Sequence, residues 1–382
     1  MSDKCFLVFS DDFGEHPSSC QHIFRSIPTE HPVLWVNTIG MRSPRLTWRD
    51  LNKAFLKAGR MLSGLFKGGS KKVSTGHIKV CQPPMLPFLN IPFVRTFNKR
   101  SVTGHVKRKL EGLDMKSPIC VITAPNACDY IGQFNESRIV YYCVDDFAEW
   151  PGLDKSLVQS MESDLIDKSD RFVATSQDLA DKLEQKGKKA HLLTHGVDYT
   201  FFQKASQKEH PLLAHIPKPR VGYFGLFDGR SDLDLIKAVA AGMPDISFVV
   251  TGNTEVDISD MRKIKNIYFT GSIPYSELPQ MAKGWDICML PYLVNVLTNA
   301  IQPLKIKEYL ATGKPIISTP IKEACNLSDY VNIAATADEW ENSIRSNLGP
   351  LSHDLIKKRT DFLKNESWAC KAEKFFKLCL ED

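Results

Sequence analysis

The stretch with the clearest chemical potential is a helix start that carries a lysine and, one turn later, a glutamate. A predicted strand at 286–291 runs into an irregular loop, and a helix pattern then begins at Pro303. The first turn of a helix has free amide groups and a positive dipole end, so a diphosphate could sit there. Lys305 would add a full positive charge, and Glu308 could accept hydrogen bonds from a ribose. The alternative is an ordinary helix opened by proline, with both side chains solvated.

A second set of polar residues follows predicted strands near the start of the chain. Asp12 comes directly after the strand at 5–9, where a doubly wound sheet usually binds its ligand. A carboxylate near a reacting hydroxyl could orient it or take its proton, so Asp12, His22 and Asp145 are the candidate catalytic residues. A packed or capping role is the alternative for His22. Asp145 and the aspartate after it could instead cap a helix that starts near Ala148.

The elements that must position these residues alternate between strand and helix patterns. Alternation of this kind implies parallel sheets with crossover helices, and two such series imply two doubly wound domains in an α/β chain. The predicted strands are 5–9, 33–37, 119–123, 138–144 and 171–174 in the first series, and 220–224, 247–251, 266–269, 286–290 and 315–318 in the second.

The predicted domain boundary is a proline-rich polar stretch at about 205–219. We therefore expect an N-terminal domain at 1–207 and a C-terminal domain at 219–365. A helix pattern at 366–382 ends the chain, and we assign it to the N-terminal domain.

Composition excludes several classes. The ten cysteines form no CxxC pair, which argues against a zinc ribbon, and we expect no metal site or cofactor. No GxGxxG follows the first strand, which disfavours a dehydrogenase. The net charge of +5 neither demands nor excludes a polyanion, and we expect no nucleic-acid partner. No run is long enough for a membrane span, and the scattered cysteines favour a reducing, cytoplasmic compartment.

Residues 42–72 differ from the rest of the chain because they hold nine basic residues and one acid, Asp50. Apolar residues recur there at three- or four-residue steps, from Trp48 to Leu65. One apolar helix face backed by cations suits an anionic membrane surface, so peripheral association with the inner face of the membrane is one interpretation. A basic surface helix packed on its own domain is the other.

The segment from Pro303 to Pro315, PLKIKEYLATGKP, resembles the PLK-x-x-EYLA-x-GKP pattern of family 4-like GT-B glycosyltransferases, of the bacterial teichuronic acid and exopolysaccharide type. Further segments resemble that family in order and spacing. They are 141–147, 194–198, 221–225, 266–271, 275–279 and 365–368. The resemblance implies two Rossmann-like domains facing a central cleft, with a C-terminal helix that crosses back to the N-terminal domain.

The resemblance also implies roles for individual residues of a nucleotide-sugar site. Glu308 would bind the donor ribose, and Lys305 and Arg230 would neutralise the diphosphate. Gly225 would let the backbone approach the diphosphate. The remaining contacts would come from Ser272 and Ile273 to the base, and from amides near Gln302 and Leu304 to the leaving phosphate. Fixed cations and amides lower the barrier where negative charge develops, so no metal is then strictly required.

Three positions of the C-terminal domain depart from the family pattern, and in the N-terminal domain Asp145 and Asp146 stand where a His-Asp pair is frequent. Ala300 stands where many members have a second glutamate, Leu226 where an arginine is frequent, and Ser231 where a lysine is usual, which leaves Arg230 as the nearest cation. These departures bear on the sugar and on the phosphate contacts.

The expected function is transfer of a sugar from a nucleotide-linked donor to a glycan or lipid-linked acceptor in surface polysaccharide biosynthesis. We expect the nucleotide to be UDP. Retention of the anomeric configuration is expected from the resemblance alone. A GT-B epimerase or phosphorylase, or a non-catalytic scaffold of a polysaccharide assembly complex, are the alternatives.

Overall fold

Two compact units make up the chain, Met1–Thr194 with Lys371–Asp382, and His195–Cys370. The computed structural model describes residues 4–14, 18–41, 76–150, 152–203 and 208–381. The basic stretch predicted at 42–72 lies outside the described residues.

The N-terminal unit is built on a sheet of seven strands among its described residues, in the order β3-β2-β1-β4-β5-β6-β7. Every pairing is parallel. An order that runs outward from β1 in both directions is the doubly wound topology, whose ligand crevice lies at the carboxyl ends of the strands near the reversal. The strands are β1 Phe6–Ser10, β2 Val33–Asn37, β3 Ile78–Cys81, β4 Ile119–Ile122, β5 Arg138–Cys143, β6 Arg171–Ala174 and β7 Ala190–Leu192.

Helices cover this sheet because its central strands are apolar on both faces. β1, β2 and β4 are buried at every position, as expected of parallel strands between helical layers. At the end of the chain, Phe375 is fully buried against Phe24 and Tyr142 of the same unit. The described helices are α1 Ser19–Ser26, α2 Pro92–Gly112, α3 Lys155–Lys168 and α4 Gln177–Gln185.

The C-terminal unit has a second parallel sheet, of six strands in the order β10-β9-β8-β11-β12-β13. Chain reversal occurs between β8 and β11, so residues that follow these two strands meet at one edge. The strands are β8 Arg220–Phe224, β9 Ser247–Thr251, β10 Ile267–Gly271, β11 Ile287–Leu290, β12 Ile316–Ser318 and β13 Asn332–Ile333.

The helices of this unit complete one apolar core around β8 and β11. They are α5 Tyr199–Gln203, α6 Leu233–Gly242, α7 Leu278–Lys283, α8 Val296–Ala300, α9 Leu304–Thr312, α10 Lys322–Asn326, α11 Ala337–Ser346, α12 His353–Asn365 and α13 Trp368–Leu380, the last of which continues into the N-terminal unit.

The prediction of two doubly wound parallel sheets is confirmed, and each predicted strand is present. Three short strands were missed, β3, β7 and β13, because two to four residues carry too little pattern to register. The compact units divide after Thr194, earlier than the predicted boundary. Residues 208–219 are no open linker, since Leu213 is fully buried and His210 bonds Glu277 at 2.9 Å.

Candidate functional site

Two glycines end adjacent central strands of the C-terminal sheet in conformations that disfavour other residues. Gly225 follows β8 with φ of 120°, and Gly252 follows β9 with φ of 139°. A Cβ at Gly252 would lie 2.0 Å from the carbonyl oxygen of Gly225, so the two loops touch backbone to backbone. The carboxyl edge of the sheet is therefore open above Gly225, where a side chain or a ligand can approach the backbone.

Lys305 occupies that open position from the first turn of α9. A Cβ added at Gly225 would lie 2.3 Å from its Cε and 2.8 Å from its Nζ. The ammonium donates to the Oη of Tyr292 at 3.0 Å. It also lies 5.3 Å from the ring centroid of Tyr223 and 5.7 Å from that of Tyr292. Two aromatic faces and one phenol oxygen thus hold the cation against the glycine.

Arg230 brings a second cation to the same edge. Its guanidinium forks onto Asp228, with Nε 2.9 Å from Oδ1 and an Nη 2.7 Å from Oδ2. The guanidinium carbon lies 5.8 Å from the Tyr292 ring centroid. Burial acts to lower the pKa of Arg230, but the hydrogen bond to Asp228 and the nearby charges of Asp228, Tyr292 and Tyr223 together outweigh it and raise that pKa. Arg230 therefore stays charged, with Asp228 balancing it in the absence of another anion.

Tyr292 is the link between the two cations. It is almost fully buried. Burial opposes ionisation of Tyr292, but the charges of Lys305 and Arg230 together with hydrogen bonding outweigh it, so the pKa of this phenol lies below its ordinary value. Tyr223, which donates its own hydroxyl to the carbonyl of Leu226 at 2.6 Å, has its pKa raised by burial and by Tyr292. The edge is thus an electropositive site that lowers the pKa of a neighbouring acid.

Glu308 lies one turn after Lys305 on α9 and is half-buried. Its Oε1 accepts a hydrogen bond from the Tyr275 hydroxyl at 2.9 Å. Burial raises the pKa of this carboxyl, while Tyr275 and Lys305 oppose the rise. The Tyr275 ring stacks on Phe201 with centroids 5.1 Å apart and an interplanar angle of 8°. The orientation of the Glu308 carboxylate is therefore fixed by a hydrogen bond from Tyr275, whose ring is itself held by stacking on Phe201.

The start of α9 carries no side-chain cap, so its first amides are available to a ligand. Pro303 is the N-cap, and Leu304 and Lys305 open the first turn. The Gln302 side chain is already engaged, since its Oε1 accepts from the His195 amide and its Nε2 donates to Glu323 at 2.8 Å. Gln302 can thus contribute to a ligand only through its backbone.

Ser272 and Ile273 lie just beyond β10, next to β9 in the sheet, with Ser272 exposed and Ile273 half-buried on the core. Predicted base contacts thus lie two strands from Gly225, on the loop before Tyr275. Backbone amides and an apolar side chain on such a loop suit a flat heterocycle.

The three departures from the family pattern have distinct surroundings. Ala300 is 8% exposed at the end of α8. Ser231 is 3% exposed and forms an antiparallel bridge with Tyr292. Leu226 supplies the carbonyl that Tyr223 bonds. The loop after β8 is thus tied to the loop after β11, and Arg230 is the cation next to Ser231 in that loop.

Comparisons with known proteins agree with this geometry. The model of the family "Glycosyl transferases group 1" matches residues 218–346, which include Gly225, Lys305 and Glu308. Solved structures align over nearly the whole chain. Sucrose-phosphate synthase from Thermosynechococcus elongatus has 13% identity and a TM-score of 0.70, covering 98% of both chains.

The chain thus has the GT-B fold, and its residues 218–346 match a glycosyltransferase family.

Two further solved structures of similar fold contain bound nucleotide compounds. The E. coli trehalose-6-phosphate protein bound with UDP-2-fluoro glucose has 14% identity and a TM-score of 0.67, covering 99% of this chain and all of that one. Anabaena HepE, in complex with UDP and glucose, has 12% identity and a TM-score of 0.64, covering 97% and 98%. At these identities the likeness is one of fold.

A sequence relative is TuaH of Bacillus subtilis (strain 168), a glycosyltransferase assigned to teichuronic acid biosynthesis. It is 24% identical over 230 residues, which cover 56% of this chain and 58% of TuaH. The chain thus matches a little over half the length of that relative.

In the N-terminal unit, two of the three candidate catalytic residues share one sheet edge. Asp12 follows β1 and Asp145 follows β5, with β4 between these strands. Both are half-buried. His22 lies in the middle of α1, half-buried, with its amide bonded to the carbonyl of Ser18 and its carbonyl accepting from Ser26.

Asp11 and Gln21 were missed as the residues that shape this edge. The Asp11 carboxylate accepts from Ser10 at 2.8 Å, from Ser18 at 2.9 Å and from Gln21 Nε2 at 2.9 Å. Gln21, which is fully buried, also accepts from the amide of Gly14 at 3.0 Å. Residues 11–14, which follow β1, are therefore tied by hydrogen bonds to the start of α1.

The capping alternative for the aspartates after β5 is wrong for Asp146. The turn Phe147–Glu149 has Asp146 as its N-cap residue but no side-chain cap bond. Asp146 instead pairs with Lys182 at 2.9 Å. Lys182 also contacts Glu162 at 3.1 Å, so Asp146 belongs to a partly buried ion-pair network.

Among the residues that the structure describes, no three His, Cys, Asp or Glu side chains lie close enough together to hold a metal ion. Within the same residues, no helix is long and apolar enough to cross a membrane.

Proposed function

We propose that this chain is a GT-B glycosyltransferase that transfers a sugar from a uridine diphosphate-linked donor to a glycan or lipid-linked acceptor in surface polysaccharide biosynthesis. The observation that carries the proposal is the Lys305 ammonium, held over Gly225 at the uncapped start of α9 with Glu308 one turn away. The UDP-bound state of two structural relatives and the assignment of TuaH support the donor and the pathway class.

The donor diphosphate is assigned to Lys305, Arg230 and the free amides at Leu304. As the bond from the anomeric carbon to the phosphate oxygen breaks, negative charge grows on the leaving diphosphate. Cations and amides already aimed at that position stabilise the charge without reorganising. Lys305 is held by Tyr292 and two ring faces before the donor arrives, so little ordering entropy is spent on it. This site is proposed to need no metal ion.

The nucleoside is assigned to Glu308 and to the loop after β10. An ionised Glu308 accepts hydrogen bonds from the two ribose hydroxyls, and the loop at Ser272 and Ile273 contacts the uracil. Tyr275 keeps the carboxylate in place through its 2.9 Å hydrogen bond. Gly225 contributes by having no side chain.

The acceptor is assigned to the N-terminal unit. Its hydroxyl oxygen forms the new bond to the anomeric carbon and gives up its proton. Asp12, His22 and Asp145 are proposed to orient that hydroxyl and receive the proton. The family resemblance supports retention of the anomeric configuration. The basic stretch at 42–72 motivates a lipid-linked acceptor at the inner face of the membrane.

A thermal-shift screen against UDP, GDP, CMP and dTDP sugars tests the donor assignment. A ligand present at a hundred times its Kd stabilises the native state by about 2.7 kcal/mol. We expect UDP or a UDP-sugar to raise Tm, and Lys305→Ala and Glu308→Ala to remove the shift. Lys263→Ala, at an exposed ion pair, is the matched control and keeps it. If none of the nucleotides raises Tm, the donor assignment is refuted.

Turnover separates the remaining possibilities. A GT-B epimerase would convert the free nucleotide sugar without an acceptor, and the proposed transferase would not. The buried Ala300 and the arrangement around Leu226 motivate the non-catalytic scaffold as a second candidate. UDP binding that Glu308→Ala abolishes, with release of UDP only when acceptor is present, argues against it.

A further inference from the structure

A row of large apolar side chains is exposed at the start of α2 and in the loop before it. Phe93 is 76% exposed, Ile91 and Phe88 are 44% exposed, and Phe97 and Leu86 are 42% exposed. Phe93 and Phe97 are four residues apart in α2 and therefore share a face. Five such side chains within twelve residues, 86–97, are more than the scattered apolar residues that a soluble surface normally carries.

These exposed side chains have no space in the core, because other apolar residues already fill the core beneath them. Met85 and Leu89 of the loop and Val94 of the helix are buried below them. The fully buried Asn98 donates to the carbonyl of Leu86 and accepts from its amide, both at 2.8 Å, and Ser101 donates to the carbonyl of Pro84 at 2.7 Å. These hydrogen bonds from α2 thus fix the conformation of the loop. The remaining apolar side chains of the loop, Leu86, Phe88 and Ile91, are exposed to solvent.

Cations continue the same helix face. Arg100 lies seven residues after Phe93, and Gly104, Lys107 and Arg108 follow on that side, all exposed. Residues 77–110 contain seven Lys and Arg and no Asp or Glu. In the sequence this run without acids begins at residue 51, directly after Asp50. Of these seven cations, Arg95 is paired with Asp129 at 2.7 Å, while the exposed Arg100, Lys107 and Arg108 lie on the face of the protruding phenylalanines. Phenylalanines beside such cations suit a bilayer, whose headgroups are anionic and whose interior is apolar.

We propose that this face of α2, with the loop at 86–91, is a docking surface for an anionic lipid bilayer, into which Phe93, Phe97 and Ile91 insert while Arg100 and Lys107 contact headgroup phosphates. Phe93 protrudes instead of lining a groove, which favours a bilayer over a peptide ligand. A symmetric contact with a second copy would set the same cations against each other. The surface is separate from the basic stretch at 42–72 and does not depend on the proposed sugar transfer.

Vesicle flotation of the full chain tests the surface, using phosphatidylcholine vesicles with and without phosphatidylglycerol. We expect binding only to the anionic vesicles. Phe93→Ser with Phe97→Ser should weaken binding about tenfold or more, because two aromatic side chains no longer leave water. Arg100→Glu with Lys107→Glu should weaken it by at least roughly fivefold per cation and make it less sensitive to salt. All four positions are exposed, so these variants are expected to fold.

Two control variants and one spectroscopic variant complete the experiment. Ile356→Ser, which is 40% exposed on α12, and the neighbouring exposed Lys357→Glu remove matched groups from the C-terminal unit and should leave binding unchanged. Phe93→Trp should show a blue-shifted emission on anionic vesicles, which reports entry of the side chain into an apolar phase.

The proposal is overturned if wild-type protein does not float, or if it floats equally well after both double substitutions and loses binding only when Lys53, Lys57 and Arg60 are changed. Concentration-dependent dimerisation that Phe93→Ser abolishes, without vesicle binding, would assign the surface to a second copy instead. The UDP thermal shift is measured on each variant, so failure of this surface and failure of the donor site are told apart.

Discussion

Gly225→Ala isolates the contact on which the donor site depends. The substituted residue must keep a φ of 120°, which L-residues rarely adopt, at a cost of about 1–3 kcal/mol of stability. Its Cβ would lie 2.3 Å from Lys305 Cε, so the lysine must leave its place and its 3.0 Å bond to Tyr292. Loss of one charge-assisted bond to the diphosphate is worth about 1.5–3 kcal/mol. We therefore expect UDP to bind roughly ten- to a hundredfold more weakly.

Titration calorimetry with UDP, at a temperature where the variant is folded, measures that loss. Gly313→Ala is the matched control, since Gly313 ends α9 with φ of 72° and a Cβ there would meet no atom within 4 Å. It should lose about 1–2 kcal/mol of stability for the backbone conformation alone and bind UDP normally. If Gly225→Ala is destabilised but binds UDP with the wild-type Kd, the assignment of Lys305 to the diphosphate is refuted.

Three further outcomes are expected. Burial raises the folded pKa of Glu308, so this group stabilises the fold at low pH and that contribution is lost as pH rises through the raised pKa. Glu308→Gln should therefore stabilise the ligand-free protein at pH 7 in urea unfolding, with no gain at acid pH; a loss at pH 7 would contradict this. UDP affinity, measured against pH, should fall as pH rises through the lowered pKa of Tyr292, because the phenolate neutralises Lys305. Tyr292→Phe should remove that alkaline fall, and an unchanged profile would exclude Tyr292 as its cause. Lys307 is 2% exposed and pairs with Glu366, so Lys307→Met should cost about 3–5 kcal/mol in urea unfolding, and adding Glu366→Gln should recover part of it. Equal losses in the single and double variants would show that the remaining carboxylate was not the cause.

Much of the C-terminal site was predictable because its residues are close in sequence to the elements that hold them. Gly225 ends a five-residue apolar strand, and Lys305 and Glu308 lie three residues apart on one helix. Apolar runs of four or five residues and a proline-opened helix are local patterns, so both sheets and the helix start were accessible without tertiary information.

The partners of these residues were not predictable, because contacts between distant segments leave no local pattern. Tyr292 bridges Lys305 and Arg230 from the loop after β11, and Tyr275 reaches Glu308 across 33 positions in sequence. The only available sequence signal was a tyrosine directly after a predicted strand, which is also an ordinary place for a core residue. The exposure of Phe93 and Phe97 was hidden for the same reason, since an apolar residue in a helix is usually buried.

Sequence by itself determined the two parallel sheets and the helix start that bears Lys305 and Glu308, since periodicity and helix-end chemistry are properties of adjacent residues. Only the tertiary structure decided what surrounds that lysine. The strand order places β8 beside β9 and β11, and this brings Gly225, Tyr223 and Tyr292 around one ammonium. Side-chain environment, and with it pKa and exposure, depends on which distant segments become neighbours, and that is set by packing of the whole unit.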